Sequence, residues 1–188
     1  MLEELFSEAE KRTIKELSYN REGKVSVISA GPLATLKIVD FERLMERWYS
    51  PQEEDAHRPC RCDGMCQDGD SLYLVEFKTG SATALSLHRK LYDSLNGLVE
   101  NAGYSFQEAR QAVVYLVVKG IQGVSPKDLL EGRNEERMAE PWRSEKYKCE
   151  YELYKQVGVW VRECYCLNPT QFETYAQRFW GNTVHCGL

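Results

Sequence analysis

No stretch of this sequence approaches 18 apolar residues, so nothing in it reads as a membrane-crossing helix. The opening Met1-Leu2-Glu3-Glu4 has neither the basic start nor the apolar segment of a secretory signal, and the expected compartment is the cytoplasm. Proline is sparse, at 6 residues, and together with 43% hydrophobic and 28% charged residues this excludes disordered and collagen-like classes. A positive excess is also missing. Lys and Arg number 24 against 29 Asp and Glu, a net charge of −5, which argues against a non-specific nucleic-acid coat or a polybasic membrane binder while leaving room for a local basic patch. The seven cysteines do not make the even framework of a small secreted domain, so most are expected as free thiols. No Gly-x₄-Gly-Lys-Ser/Thr loop occurs, which removes a nucleotide-driven motor from consideration.

What is present is the material of one α/β domain spanning residues 1–188, without internal repeat or dividing linker. A chain of this size hides about 70% of the surface it exposes when unfolded, enough for a core without a metal or disulfide scaffold. Apolar residues at three- and four-residue steps from Leu2 to Leu17 predict an amphipathic helix. Two β-leaning segments, Lys24–Ser29 and Leu33–Val39, flank Gly31-Pro32, and a short helix is expected from Asp40 to about Tyr49. Leu72–Phe77 and Ala112–Val118 have the pattern of strands covered on both faces. Between them Ala84, Leu85, His88, Leu91, Tyr92, Leu95, Leu98 and Val99 form a helical stripe, with Ser86, Arg89, Lys90 and Asp93 opposite and Asn101-Ala102-Gly103 as the stop. Ser125-Pro126 opens a helix, Glu135–Tyr154 is loosely helical, Val157–Cys166 alternates as a strand, and Asn168-Pro169 starts a last helix.

The most informative window runs from Pro59 to Gly80. Gln67-Asp68-Gly69-Asp70-Ser71 is turn chemistry between two strands, and Glu76 and Lys78 break the apolar pattern at the end of a buried one. Antiparallel pairing gives this window a geometric test. A loop of Asp68–Ser71 sets Gln67 against Leu72 and Asp63 directly opposite Glu76. A two-residue loop Asp68-Gly69 pairs Asp63 with Leu74 and leaves Glu76 diagonal on the same face, whereas a three-residue loop sends the carboxylates to opposite faces. Directly opposed side chains stand about 4.5–5.5 Å apart, where two anions repel unless something positive lies between them. A divalent cation is the expected occupant. Mg²⁺, or Mn²⁺, takes one or two carboxylates plus water and phosphate oxygens. Lys78, on the same face as Glu76, stands where it can orient a water or counter charge on a phosphoryl transition state.

An Asp in one strand, a turn, a hydrophobic strand ending Glu76-Phe77-Lys78, then a helix and a further apolar strand resembles the PD-(D/E)XK nuclease superfamily. The gap from Asp63 to Glu76 is 12 residues, and Lys78-Thr79-Gly80 is similar to the ending found in nuclease domains of recombination-repair enzymes. The resemblance covers a motif core of about residues 41–119, with residues of about 120–188 as a C-terminal strand and helix extension. It implies a restriction-endonuclease-like core, a mixed sheet flanked by helices, and metal-dependent hydrolysis of nucleic acid, DNA before RNA. Asp63 and Glu76 are then metal ligands, Lys78 is the catalytic lysine, and His88, Arg89 or Lys90 help hold the phosphate backbone. The sequence departs from the pattern at Cys62, where Pro is usual, and lacks the Gln-x-x-x-Tyr of some branches. Glu10, Glu42 and Glu46 are all eligible for the additional acidic ligand of the first helix, and none is assigned.

Two other readings stand beside this one. Members of the superfamily that have lost catalysis act as binding or assembly modules, and the acidic charge and absent accessory motifs suit that role. His57, Cys60, Cys62 and Cys66 are soft enough donors for a zinc-stabilised interaction protein, although Cys-x-Cys spacing is poor for enclosing the ion. An iron–sulfur set of Cys149, Cys164, Cys166 and Cys186 has the wrong spacing. Tyr and Trp residues read as core and partner surface rather than a stacking platform, because no basic residues interleave them. A protein partner or a second copy of the chain stays open.

Overall fold

The computed structural model describes residues 10–20, 24–49, 59–79, 82–120 and 153–180. In chain order the elements are β1 (Lys11–Thr13), α1 (Ile14–Leu17), β2 (Tyr19–Asn20), β3 (Val25–Ser26), α2 (Pro32–Thr35), β4 (Lys37–Asp40) and α3 (Phe41–Trp48). They continue as β5 (Gly64–Asp68), β6 (Ser71–Lys78), α4 (Ala84–Asn101), α5 (Phe106–Ala112), β7 (Val113–Lys119), a 3₁₀ turn (Leu153–Gln156), β8 (Glu163–Leu167) and α6 (Pro169–Phe179).

Leu72–Phe77 and Val113–Val118 are buried throughout, as strands apolar on both faces require. β6 and β7 lie side by side in parallel, from Leu72↔Val113 to Lys78↔Lys119. Around them the sheet runs β1-β4-β5-β6-β7-β8, antiparallel from β1 to β6 and parallel from β6 to β8. This is a six-stranded mixed sheet with helices on both faces. One core holds Phe41, Leu44 and Met45 of α3, Leu87, Leu91, Leu95 and Leu98 of α4, and Leu72, Leu74, Tyr115 and Val117. The other holds Ile14, Leu33, Phe172, Tyr175 and Trp180 beneath Tyr73, Val75, Phe77, Val114, Leu116 and Val118. Gly97 lets α3 approach α4 closely, since a Cβ there would stand 2.2 Å from the Met45 sulfur.

The β5–β6 register is Gln67↔Leu72, the arrangement that sets Asp63 against Glu76. Asp68↔Ser71 closes the hairpin one pair further, leaving Gly69-Asp70 as the turn. Gly69 has φ of 54°, the sign a II′ turn needs at its first central residue.

Several expectations are corrected. Lys11–Thr13 is a strand pairing with β4, not helix, and the Leu2–Leu17 periodicity survives only in the single turn Ile14–Leu17; residues 1–9 lie outside the described set. Pro32–Thr35 is helical, entered through Gly31 at φ 85°, so the second β-leaning segment shrinks to Lys37–Asp40. The stripe of α4 is rotated: Leu85 is 78% exposed and Tyr92 45%, while Leu87 and Ser94 are buried. α5 is an additional helix, and its Ser105 and Glu108 form a capping box. Val157 and Val161 make an isolated bridge around a turn, and β8 begins only at Glu163. The helix from Ser125 and most of Glu135–Tyr154 fall outside the described residues. Among the described helices, none is long and apolar enough to cross a membrane.

Candidate active site

Asp63 is positioned by its backbone before its side chain. Its N–H donates to Val75 O at 3.0 Å and its carbonyl accepts from Phe41 N at 3.2 Å, so β6 and the start of α3 both hold it. Just upstream, α4 grips the chain twice. The Cys62 N–H donates to the Ser94 hydroxyl at 3.0 Å and the Cys60 N–H to the Asp93 carboxylate at 2.7 Å. Ser94 is fully buried, which explains a polar residue on the apolar side of α4: it satisfies a backbone donor that has no strand partner. The Asp63 carboxylate extends the ladder past the end of β5, accepting the Phe77 N–H on Oδ2 at 2.6 Å.

Glu76 sits on the same sheet face, with no exposed surface. Two ammonium groups reach its Oε1, Lys78 Nζ at 2.5 Å and Lys90 Nζ at 2.7 Å. Lys90 also lies 3.7 Å from Asp63 Oδ1, so one ammonium spans both acids. The positive charge that opposed carboxylates demand is supplied here by a lysine of the helix. Asp63, Lys78 and Lys90 keep 22%, 23% and 25% of their side-chain surface exposed, so the quartet is reachable from solvent although Glu76 lies beneath it.

Two acceptor atoms have capacity left. Glu76 Oε2 is buried and makes no hydrogen bond, and Asp63 Oδ1 has only the long contact to Lys90. Burial and the nearby Glu76 charge push the Asp63 carboxyl up to about 7, against the pull of Lys90, the Phe77 N–H and Lys78. Burial works to lower the Lys90 ammonium, but Glu76 and Asp63 outweigh it and hold it above the ordinary lysine range. Beneath the site, burial raises the Cys62 thiol and the Tyr115 hydroxyl out of any useful titration range, and the Tyr115 hydroxyl is also unpartnered.

A hard divalent cation fits this donor set: two unfilled carboxylate oxygens from facing strands, with waters or phosphate completing the shell. No third acidic ligand joins them among the described residues. Among the described residues, no group of three or more His, Cys, Asp or Glu is placed to hold a metal. Glu42 and Glu46 face Arg61 from the exposed side of α3, and Glu10 pairs with Arg12 and Arg43 near Asp40.

The remaining expectations divide. Asp63, Glu76, Lys78 and Lys90 come together, whereas Arg89 turns to Asp93 at 3.7 Å and leaves the quartet. His88 is half-buried with Nε2 unpartnered, and no contact ties it to the acids. The zinc set does not form among its described members: Cys62 belongs to the core under α4 and Cys66 to the core under α6, on opposite sides of the sheet. His57, Cys149 and Cys186 lie outside the described residues. Cys60, Cys62, Cys66 and Cys164 form no disulfide, and Cys166 is in one. Sequence reasoning missed Ser94 and Asp93 as supports of the Asp63 segment, since no local pattern marks a residue whose partner lies more than 30 positions away. No family model matches the chain, and neither does a curated protein or a solved structure.

Proposed function

We propose that the protein is a divalent-metal-dependent nuclease of PD-(D/E)XK type, hydrolysing phosphodiester bonds in nucleic acid, with DNA the expected substrate. The observation that carries this is the meeting of Asp63, Glu76 and Lys78 on one face at the solvent-reachable ends of paired strands, with an unpartnered Glu76 oxygen. The order hairpin, helix α4, parallel strand β7 is also the order that the sequence resemblance implies.

Asp63 and Glu76, each with a carboxylate oxygen that has capacity left, would hold Mg²⁺ or Mn²⁺. Such an ion, when bound, lowers the pKa of a water and polarises a phosphoryl oxygen. Phe77 N–H fixes the Asp63 carboxylate, and Ser94 and Asp93 fix the chain that carries it. Lys90 offsets repulsion between the acids and keeps them assembled. Lys78 counters charge on the phosphate or orients the attacking water by turning its ammonium from Glu76 towards the substrate. Two lysines balance two carboxylates, so a divalent ion makes the site net positive and suited to an anionic backbone. Of α4, Lys90, Asp93 and Ser94 take part in this scheme, whereas His88 and Arg89 have no assigned part.

The test is incubation of pure protein with single- and double-stranded DNA and RNA, with Mg²⁺, Mn²⁺ or EDTA. Cleavage should need metal and fall about 10²–10³-fold in Lys78→Ala, the usual scale for losing a placed electrostatic group. Activity unchanged in Lys78→Ala and Asp63→Ala refutes the roles. A second reading, a catalytically silent binding or assembly module, is favoured by one observation: Lys90 already bridges the two acids. It is supported if the protein binds nucleic acid or a protein partner with no cleavage under any metal.

A further inference from the structure

A cavity of about 240 Å³ lies at the end of β6, on the sheet face opposite the acidic quartet, and is used by none of the chemistry above. Val25, Ser26, Val27, Thr79, Gly120, Pro169 and Thr170 line it. It lies where the β2–β3 ribbon, the ends of β6 and β7 and the first turn of α6 meet. Thr79 follows Lys78 directly, and the Gly120 N–H donates to the Lys78 carbonyl at 2.7 Å, so cavity and lysine share one piece of backbone. The Asn20 side chain hydrogen-bonds the Thr79 hydroxyl and fixes the ribbon over it. Val27 and α6 belong to the core on the sheet face away from α4, so the cavity and the acidic quartet flank the β6 end from opposite sides.

We infer that this cavity receives one unpaired nucleobase next to the bond being cut, which makes the substrate a single strand or a locally opened duplex; the inference rests on the nuclease reading. Among the described residues that line it none is charged, which suits an uncharged ring better than a phosphate. Its aliphatic surface from Val25, Val27 and Pro169 matches the flat faces of a base. The hydroxyls of Ser26, Thr79 and Thr170 both donate and accept, as base edges require. The volume is below the roughly 300–1,000 Å³ of pockets for drug-sized ligands, so it holds a single small ring system. Tyr19, opposite Ser26 across the ribbon, is 48% exposed and places an aromatic ring on the same face of that ribbon. A base can enter only if it has left its stack, because the partner strand blocks its edge in a duplex.

Gly120 gives a direct test, since a Cβ there meets the Lys78 carbonyl and a Val27 methyl at 3.5 Å, ordinary contact, and any larger side chain fills the cavity. Cleavage of single-stranded oligonucleotides first fixes the cut position. Substrates with one abasic residue on either side of that position are then compared in the wild type, Gly120→Val and Thr170→Leu, the last altering an exposed residue. The expected result is a loss of about tenfold for an abasic residue at one flanking position in the wild type, the scale of one stacked base. In both variants the intact substrate should already be slow by a similar factor, and the abasic change should add little. Equal cleavage of all abasic substrates, or a duplex cut as fast as a single strand, overturns the inference and leaves the nuclease reading standing. Wild-type protein that cuts nothing with Mg²⁺ or Mn²⁺ removes the nuclease reading and the inference with it.

Discussion

Replacing Lys90 with Met keeps the length of the side chain and removes the one charge that touches both acids. Its ammonium is 2.7 Å from Glu76 Oε1 and 3.7 Å from Asp63 Oδ1. At an effective dielectric constant near 20 these contacts are worth about 6 and about 4 kcal/mol of Coulomb attraction, less the cost of desolvating the lysine. Breaking a buried pair by removing one partner costs about 3–5 kcal/mol, and Lys78 remains on Glu76, so the lower end applies, about 3 kcal/mol at pH 7.5. For a chain of this length that is a fall in Tm of roughly 6–12 °C. The loss should shrink on lowering the pH towards 5, because Asp63 then takes up a proton and no longer needs the ammonium. It should also shrink in millimolar Mn²⁺, which occupies the place between the acids and stabilises Lys90→Met more than the wild type. Urea and thermal unfolding of both proteins, at two pH values and with and without Mn²⁺, read all three effects. A variant within 0.5 kcal/mol of the wild type at pH 7.5 refutes the reasoning.

Asp63 sets a second pH effect: its folded pKa, near 7, lies above the ordinary 3.8, so the metal-free folded state binds more protons than the unfolded one between those values. Its contribution to stability therefore declines as pH rises from about 4 to 7, by at most about 4 kcal/mol for three pKa units, and Asp63→Asn should gain on the wild type over that window in urea titrations. Ser94→Ala leaves the Cys62 N–H buried without an acceptor and should cost about 1–3 kcal/mol by chemical denaturation, whereas Ser94→Thr, which keeps a hydroxyl, should recover part of it. Ser105→Ala removes the capping box of α5 and should cost about 1 kcal/mol, with cleavage unaffected, as checked by the urea midpoint and the oligonucleotide assay.

The parts of the fold legible in the sequence are those fixed by short-range pattern. Leu72–Phe77 and the Val113–Val118 run announce buried strands by composition, and Asn168-Pro169 announces α6 through a cap and a first-turn proline. Counting outward from the turn leaves three registers, two of which put Asp63 and Glu76 on one face, and the structure takes the one that sets them opposite. Elements set by distant partners were not legible. Lys11–Thr13 is a strand because β4 offers it an edge, and three residues are too few to interrupt a helical period. The rotation of α4 follows from Ser94 turning inward to meet Cys62, a contact 32 positions apart. Lys90, a phosphate contact by analogy, instead bridges the two acids, a contact 14 positions from Glu76 that no local pattern marks. The start of α5 is written locally, in the capping box Ser105-x-x-Glu108.

The central claim is that Asp63 and Glu76 together grip one divalent cation. Titration of the protein with Mn²⁺ followed by electron paramagnetic resonance should show one bound ion per chain, lost in both Asp63→Asn and Glu76→Gln and tightened in Lys90→Met. No bound ion in the wild type, or binding that survives both acid substitutions, contradicts the account.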